Sequence, residues 1–138
     1  MAERTVRRVV ETAFPVRYAE TDQMQIVHHA SYVVWMEEGR SEFMRQSGGN
    51  YAEMERGGHF FAVTSVQVRY LAPAHYGERV TVQTWVEELR SRILMIGYKV
   101  INAESGTLLA TGKSEHVCID RQGSVVRIPE QWRRLLAR

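Results

Sequence analysis

The sequence predicts an α+β domain in which one antiparallel sheet packs on a single long helix. Three observations carry this. Between residues 29 and 46, Tyr32, Trp35, Met36, Gly39 and Phe43 recur at helical spacing, one stripe down one face. After Gly58 the pattern changes to four successive runs that alternate apolar and polar residues, the period of half-buried strands. The breaks between those runs are short, and two of the three carry glycine or proline. Consecutive strands joined in this way run antiparallel, and a lone amphipathic helix needs their sheet as its apolar partner.

The elements follow in order. Residues 11–18 read as a strand, with Phe14, Val16 and Tyr18 on one side and Arg17 on the other; Pro15 marks an edge or early position. The long helix covers residues 29–46. Gly39 inside it costs ~1 kcal/mol relative to alanine, and its place on the apolar stripe implies close approach of the helix to the sheet. Ser47, Gly48, Gly49 and Asn50 stop the helix. A short second helix is predicted over residues 50–56, ended by Gly57 and Gly58. The strand runs are residues 60–71, 78–89, 91–102 and 107–120, with a turn at residues 72–77. In the first run Val66, Val68 and Tyr70 alternate with Gln67 and Arg69. The third has Leu94, Ile96, Tyr98 and Val100 on one face and Ile93 and Met95 on the other, which suits a central strand or one in a subunit contact. Residues 129–136 form a last amphipathic helix, with Pro129 near its first turn. A sheet that wraps one helix leaves its outer face and edges to be covered. In a chain of 138 residues a second subunit is the expected cover, so a homodimer or homotetramer is predicted.

Composition sets bounds on function. The length favours one domain over residues 1–138. Hydrophobic residues make up 44% and charged residues 25%, an ordinary globular balance. No apolar run reaches the ~18–20 residues of a membrane span. The first fourteen residues lack the apolar segment and cleavage site of a secretory signal. Cys118 is the only cysteine, so an internal disulfide and a multi-cysteine metal site are excluded; a cytoplasmic location is the expectation. A net charge of +2 gives no argument for nucleic acid. Lys99 and Lys113 are the only lysines; the other basic residues are arginines, which suit bidentate phosphate contacts.

Chemistry concentrates in residues 17–45. A strand enters a polar knot, Glu20-Thr21-Asp22-Gln23, and two histidines, His28 and His29, precede the helix. A carboxylate in a loop offers an acid or base. A helix start offers backbone N–H groups and the positive end of the dipole. Read alone, Asp22 also suits an Asx-turn or N-cap, and both roles can coexist. His28 and His29 are boundary histidines on the plain reading. Successive helical residues point about 100° apart, so only one of them faces a site, and His29 is the candidate. Their spacing with Glu20 and Asp22 lacks the i, i+4 pattern of a helical zinc motif, so no metal is expected. Glu42 reads as a surface partner of Arg45. Cys118 lies in a strand without a base beside it in sequence.

The segment from Arg17 to Tyr32, with Trp35, Glu38, Arg40 and Glu42 after it, resembles the hot-dog-fold acyl-CoA thioesterases of the 4-hydroxybenzoyl-CoA thioesterase type. Further matches are Val68-Arg69-Tyr70-Leu71-Ala72-Pro73-Ala74, Tyr76-Gly77-Glu78, the hairpin around Gly106 and His116-Val117-Cys118-Ile119-Asp120. The resemblance implies a curved antiparallel sheet wrapped around one long central helix, and hydrolysis of an acyl-CoA thioester. It implies Asp22 as the catalytic carboxylate, His29 as the residue whose backbone N–H faces the thioester carbonyl, and Tyr32 as a residue lining the site or packing beneath it. Gln25 stands where these enzymes usually have glycine, a residue that permits positive φ or close substrate approach; it is expected to narrow the pocket mouth or accept mild strain.

Hydrolysis needs a holder for the developing oxyanion and a source of attack. The start at His29 and Ala30 answers the first. Asp22 answers the second, as general base toward water or as nucleophile. Coenzyme A belongs to the substrate, so no separate cofactor is expected. Its phosphates make Arg69, Arg90, Arg92 and Lys113 candidate contacts. Two other readings stay open: a hot-dog hydratase or dehydratase acting on acyl thioesters, and a non-catalytic acyl-CoA binding module.

Overall fold

The computed structural model describes residues 7–49 and 51–137. Five strands form one antiparallel sheet: β1 (Val10–Pro15), β2 (Phe60–Tyr70), β3 (Arg79–Leu89), β4 (Ile93–Asn102) and β5 (Leu108–Ile119). Helix α1 (Ser31–Gln46) lies on one face of it. Helix α2 (Tyr51–Arg56) follows α1, and α3 (Glu130–Leu136) ends the described chain. This is the hot-dog arrangement that the resemblance implies.

The predicted stripe is the buried face of α1: Tyr32, Trp35, Met36, Gly39 and Phe43 are all buried, with Met44 beside them. They meet Val80, Val82, Leu94, Ile96, Tyr98 and Val100 in one core. Each large side chain buried in this way stabilises the fold by about 1.5–3 kcal/mol. Gly39 has the role its position implies. A Cβ there would fall on Thr84 Oγ1 and stand 2.9 Å from Val82 Cγ1. Gly39→Ala is therefore expected to destabilise the protein by about 1–3 kcal/mol, although alanine is the better helix former. Urea unfolding of the two proteins measures this; equal stability would show that the helix has room to lift.

Sheet order is β1-β3-β4-β5-β2. β4 is central, as its two apolar faces predict, and β1 and β2 are the edges. The four later strands do not form a simple meander. The β2–β3 connection, expected as a turn, instead carries the chain from one edge to the far side of the sheet. On the way it packs on the loop after β1: Val27 donates to the Ala74 carbonyl at 2.9 Å, and Tyr76 donates to that of Gln25 at 3.1 Å. Glu78 ties this connection down, accepting from the His75 backbone at 2.6 Å and from Asn102 Nδ2 at 2.8 Å.

Two boundaries differ from the sequence reading for local reasons. β1 stops at Pro15 instead of continuing through Tyr18. Arg17 and Glu20 cap each other around a 3-10 turn at Tyr18–Glu20, which bends the chain out of the sheet. α1 begins at Ser31 and not at His29. The N–H groups of Ser31, Tyr32 and Val33 reach carbonyls three residues back, those of His28, His29 and Ala30, so the chain winds tightly into the helix. The remaining ends agree to within two residues, and Asn50, the expected start of α2, lies outside the described residues.

Candidate active site

The site is built on the loop between the 3-10 turn and α1. Asp22 closes that loop on itself: its Oδ1 accepts the Met24 N–H at 2.8 Å and the Ile26 N–H at 3.2 Å. Its backbone N–H bonds the Ile26 carbonyl at 2.9 Å. The Asx-turn role expected of Asp22 is thus present. It uses one carboxylate oxygen; among the described residues Oδ2 has no hydrogen-bond partner. Asp22 is exposed, so this oxygen is open to water.

A buried carboxylate anchors the loop from beneath. Glu20 is 7% exposed and accepts from the Arg17 backbone at 2.8 Å, from the Arg17 guanidinium at 3.2 Å and from the Trp35 indole at 2.6 Å. Burial works against its charge, but the bonds from Arg17 and Trp35 outweigh burial and hold it below the usual carboxylate range. Its backbone carbonyl accepts the His28 N–H at 2.8 Å and the Ser31 hydroxyl at 3.3 Å. Glu20 therefore fixes both the start of the loop and its return to the helix.

That return leaves one donor open. The N–H of His28 goes to Glu20, that of Ala30 to His28 Nδ1 at 3.2 Å, and those of Ser31 and Tyr32 to carbonyls behind them. Only the His29 N–H in this run has no partner among the described residues. The expected pair at His29 and Ala30 narrows to the first of the two.

Asp22, His28, His29 and Tyr32 line a cleft of about 460 Å³, walled on the other side by Tyr70, Leu71 and Pro73. Tyr32 is buried, its ring 4.8 Å from that of Trp35; it packs beneath the site and lines it. Burial pushes its phenol up, against a backbone hydrogen bond from Ala74. The His28 and His29 rings lie 4.1 Å apart, inclined by 30°.

The other predicted contacts divide. Gln25 does not line the cleft. It is the only non-glycine residue with positive φ among those described, at 62°, so its effect is on the loop backbone. Gln25→Gly is expected to stabilise the protein by roughly 0.5–1 kcal/mol through relief of that conformation with kcat unchanged. Thermal melting and steady-state rates check both halves; a loss of stability would give the glutamine side chain a structural job. Arg69 and Lys113 do come together, with Lys99, around Trp85 in a second cleft of about 530 Å³. Among the described residues none of these three cations has an ion-pair partner. They lie on the sheet face opposite α1. Arg90 and Arg92 are not brought to the site of their own chain. They occupy the β3–β4 turn, and β3 spans 11 residues, which places that turn roughly 30 Å from the Asp22 end of the sheet. Arg90 is also engaged by Glu88 at 2.7 Å. Glu42 and Arg45 form the expected surface pair.

Sequence reasoning missed Tyr70 and the anchoring role of Glu20. Alternation already placed Tyr70 on the helix-facing side of β2. Nothing in the residue order marks Glu20 as buried, because its partner Trp35 is 15 positions away.

From residue 16 to residue 136 the sequence matches the model of the Thioesterase-like superfamily. The chain belongs to that superfamily. A relative from Bacillus subtilis (strain 168), the putative acyl-CoA thioesterase YneP, is 42% identical over 107 residues, 78% of this chain and 77% of that protein. The acyl-CoA thioester hydrolase YbgC of Escherichia coli O157:H7 is 33% identical over 109 residues, 78% of this chain and 81% of YbgC. The solved structure of DHNA-CoA thioesterase from Staphylococcus aureus superposes on this thioesterase-like chain with a TM-score of 0.87 at 33% identity, covering 92% of this chain and 87% of that one. Among the described residues no helix is long and apolar enough to cross a membrane. No cluster of three or more His, Cys, Asp or Glu side chains among them is placed to hold a metal.

Proposed function

We propose that this protein hydrolyses acyl-CoA thioesters, with Asp22 supplying the attack and the His29 N–H holding the carbonyl oxygen. The observation that carries the reading is that one cleft is lined both by Asp22, whose Oδ2 has no hydrogen-bond partner among the described residues, and by His29, whose backbone N–H has none among them. The donor stabilises the charge that develops on the thioester oxygen. Asp22 either takes a proton from water as it attacks, or attacks the carbonyl carbon itself and expels the CoA thiolate, water then opening the anhydride. His29 lines the same cleft, and its ring is the group that orients the water. Coenzyme A enters as part of the substrate and no further cofactor takes part. The names carried by YneP and YbgC support this substrate class.

The working unit is an oligomer. β2 is an edge strand, and Val33, Val63, Val66 and Leu71 around it are 40–52% exposed, an apolar surface that a second β2 would cover. Arg69 and Lys113, with Lys99, serve the phosphates of substrate bound to another copy, since the sheet separates them from their own cleft. A cytoplasmic location belongs to the same reading.

Thiol release from a panel of acyl-CoAs, followed with DTNB, tests the proposal. The aromatic walls formed by Tyr32 and Tyr70 make aromatic acyl groups the first to try, with short and long aliphatic chains beside them. Release of CoA is the expected result. Binding of CoA esters without cleavage would replace the reading with a binding module. Loss of the double bond of an enoyl-CoA, without thiol release, would replace it with a hydratase.

A further inference from the structure

The geometry points to Tyr70 as a positioning residue that holds the carbonyl-binding N–H of His29 in place; this rests on the hydrolase reading above. Tyr70 ends β2, on the opposite wall of the cleft from α1. Its hydroxyl donates to the His29 carbonyl at 2.8 Å. The Tyr32 N–H reaches the same oxygen at only 3.4 Å, so the phenol provides the stronger bond. The Tyr70 ring meets Tyr32 edge-on, centroids 5.1 Å apart at 84°, and Tyr32 is backed by Trp35. The hydroxyl is thus presented from a fixed ring, although Tyr70 is 46% exposed.

The free donor sits between two anchors. On the residue before it, the His28 N–H is held by the Glu20 carbonyl at 2.8 Å. On its own residue the carbonyl is held by Tyr70. With both neighbours tied, the His29 N–H keeps its direction as charge builds on the thioester oxygen, and preorganisation of this kind is what gives such a donor its catalytic value. Without the second tie the 29–30 peptide keeps only the 3.4 Å bond from Tyr32 and the 3.2 Å bond from Ala30 N–H to His28 Nδ1, and its looser rotation about the His29 backbone moves the adjoining His29 N–H. A small misplacement of a catalytic group costs much in rate and little in ground-state binding.

Tyr70→Phe keeps the ring contact and deletes only the hydroxyl. It is expected to lower kcat about 10- to 100-fold while KM and the affinity for a non-hydrolysable thioether analogue of the acyl-CoA stay within about twofold. Amide hydrogen exchange of residues 28–31 in the substrate-free protein should quicken, with the melting temperature unchanged. Wild-type kcat would overturn the proposal. So would a rise in KM alone, which would make Tyr70 a substrate contact, or exchange at residues 28–31 equal to that of the parent. The exchange measurement needs no substrate. If the parent protein cleaves no acyl-CoA, the hydrolase reading fails by itself, and exchange still decides whether Tyr70 holds the His29 peptide.

Discussion

Asp22→Asn is expected to lose about 10³-fold in kcat, within the range attributed to a general base, while the fold and KM remain close to those of the parent. The reason lies in how the carboxylate is divided. Oδ1 accepts the N–H groups of Met24 and Ile26, and an asparagine side-chain oxygen accepts them equally well. The loop, the His29 donor and the cleft should therefore survive the change. What asparagine cannot supply is the second, uncommitted oxygen with its negative charge, which serves as base or nucleophile. Asp22→Ala makes the complementary case. It deletes the Asx-turn together with the charge, so it should lose activity and also melt lower, by the ~0.5–2 kcal/mol typical of a lost side-chain cap. Steady-state kinetics and melting curves on both variants separate the two roles. Asparagine and parent rates within tenfold of each other would remove Asp22 from the chemistry and leave it only the turn.

The features legible in the sequence are those written in local patterns. The stripe from Tyr32 to Phe43 fixes the buried face of α1, and Gly39 on that stripe marks where the helix touches β3. Gln25 stands out only against the glycine usual in the thioesterases the chain resembles, and its φ of 62° is the strain that the substitution implies. Asp22 and His29 stand seven positions apart in the chain, and the structure brings them to one cleft. The features not legible depend on pairing across long separations. Alternation shows that residues 60–71 form a strand but not that β5 is its partner, so the crossover above the Asp22 loop stays hidden. Arg69 and Arg92 look alike as cations at strand ends. The topology puts one in the outer-face cleft with Lys113 and the other at the opposite end of the sheet. Tyr70 and Glu20 act through bonds to His29 and Trp35, 41 and 15 positions away, and no spacing rule connects such pairs.

Acid should destabilise this protein through His116, and the structure fixes the sign. His116 is 1% exposed on β5 and ends a buried chain of hydrogen bonds. Arg40 of α1 donates to the Tyr98 hydroxyl at 3.0 Å, Tyr98 and Ser114 lie 2.6 Å apart, and Ser114 meets His116 Nε2 at 2.7 Å. A guanidinium only donates. With the Tyr98 oxygen accepting from Arg40, the Tyr98 hydroxyl is able to donate to Ser114 and the Ser114 hydroxyl to Nε2. A neutral imidazole with Nε2 bare completes this run of donors. Burial, with the Arg40 charge adding to it, lowers its pKa to about 4, against ~6.5 in an unfolded chain. The folded state therefore favours the neutral ring. Its contribution is complete above pH ~6.5 and is lost as the pH falls from there toward 4, to a total of about 3 kcal/mol. For a domain of this size that is a fall in Tm of roughly 10 °C. Other groups titrate in the same window, and protonating Glu20, which is also held below its usual range, adds a loss of its own at the acid end. The informative quantity is accordingly a difference. In His116→Gln the amide oxygen can accept the Ser114 proton but has no charge to gain. The variant is expected to start less stable at pH 7 and to lose several degrees less than the parent between pH 7 and pH 4.5. Parallel losses in the two proteins would mean that His116 titrates in the folded state much as it does in the unfolded one, and that the polar chain beneath α1 does not hold it neutral.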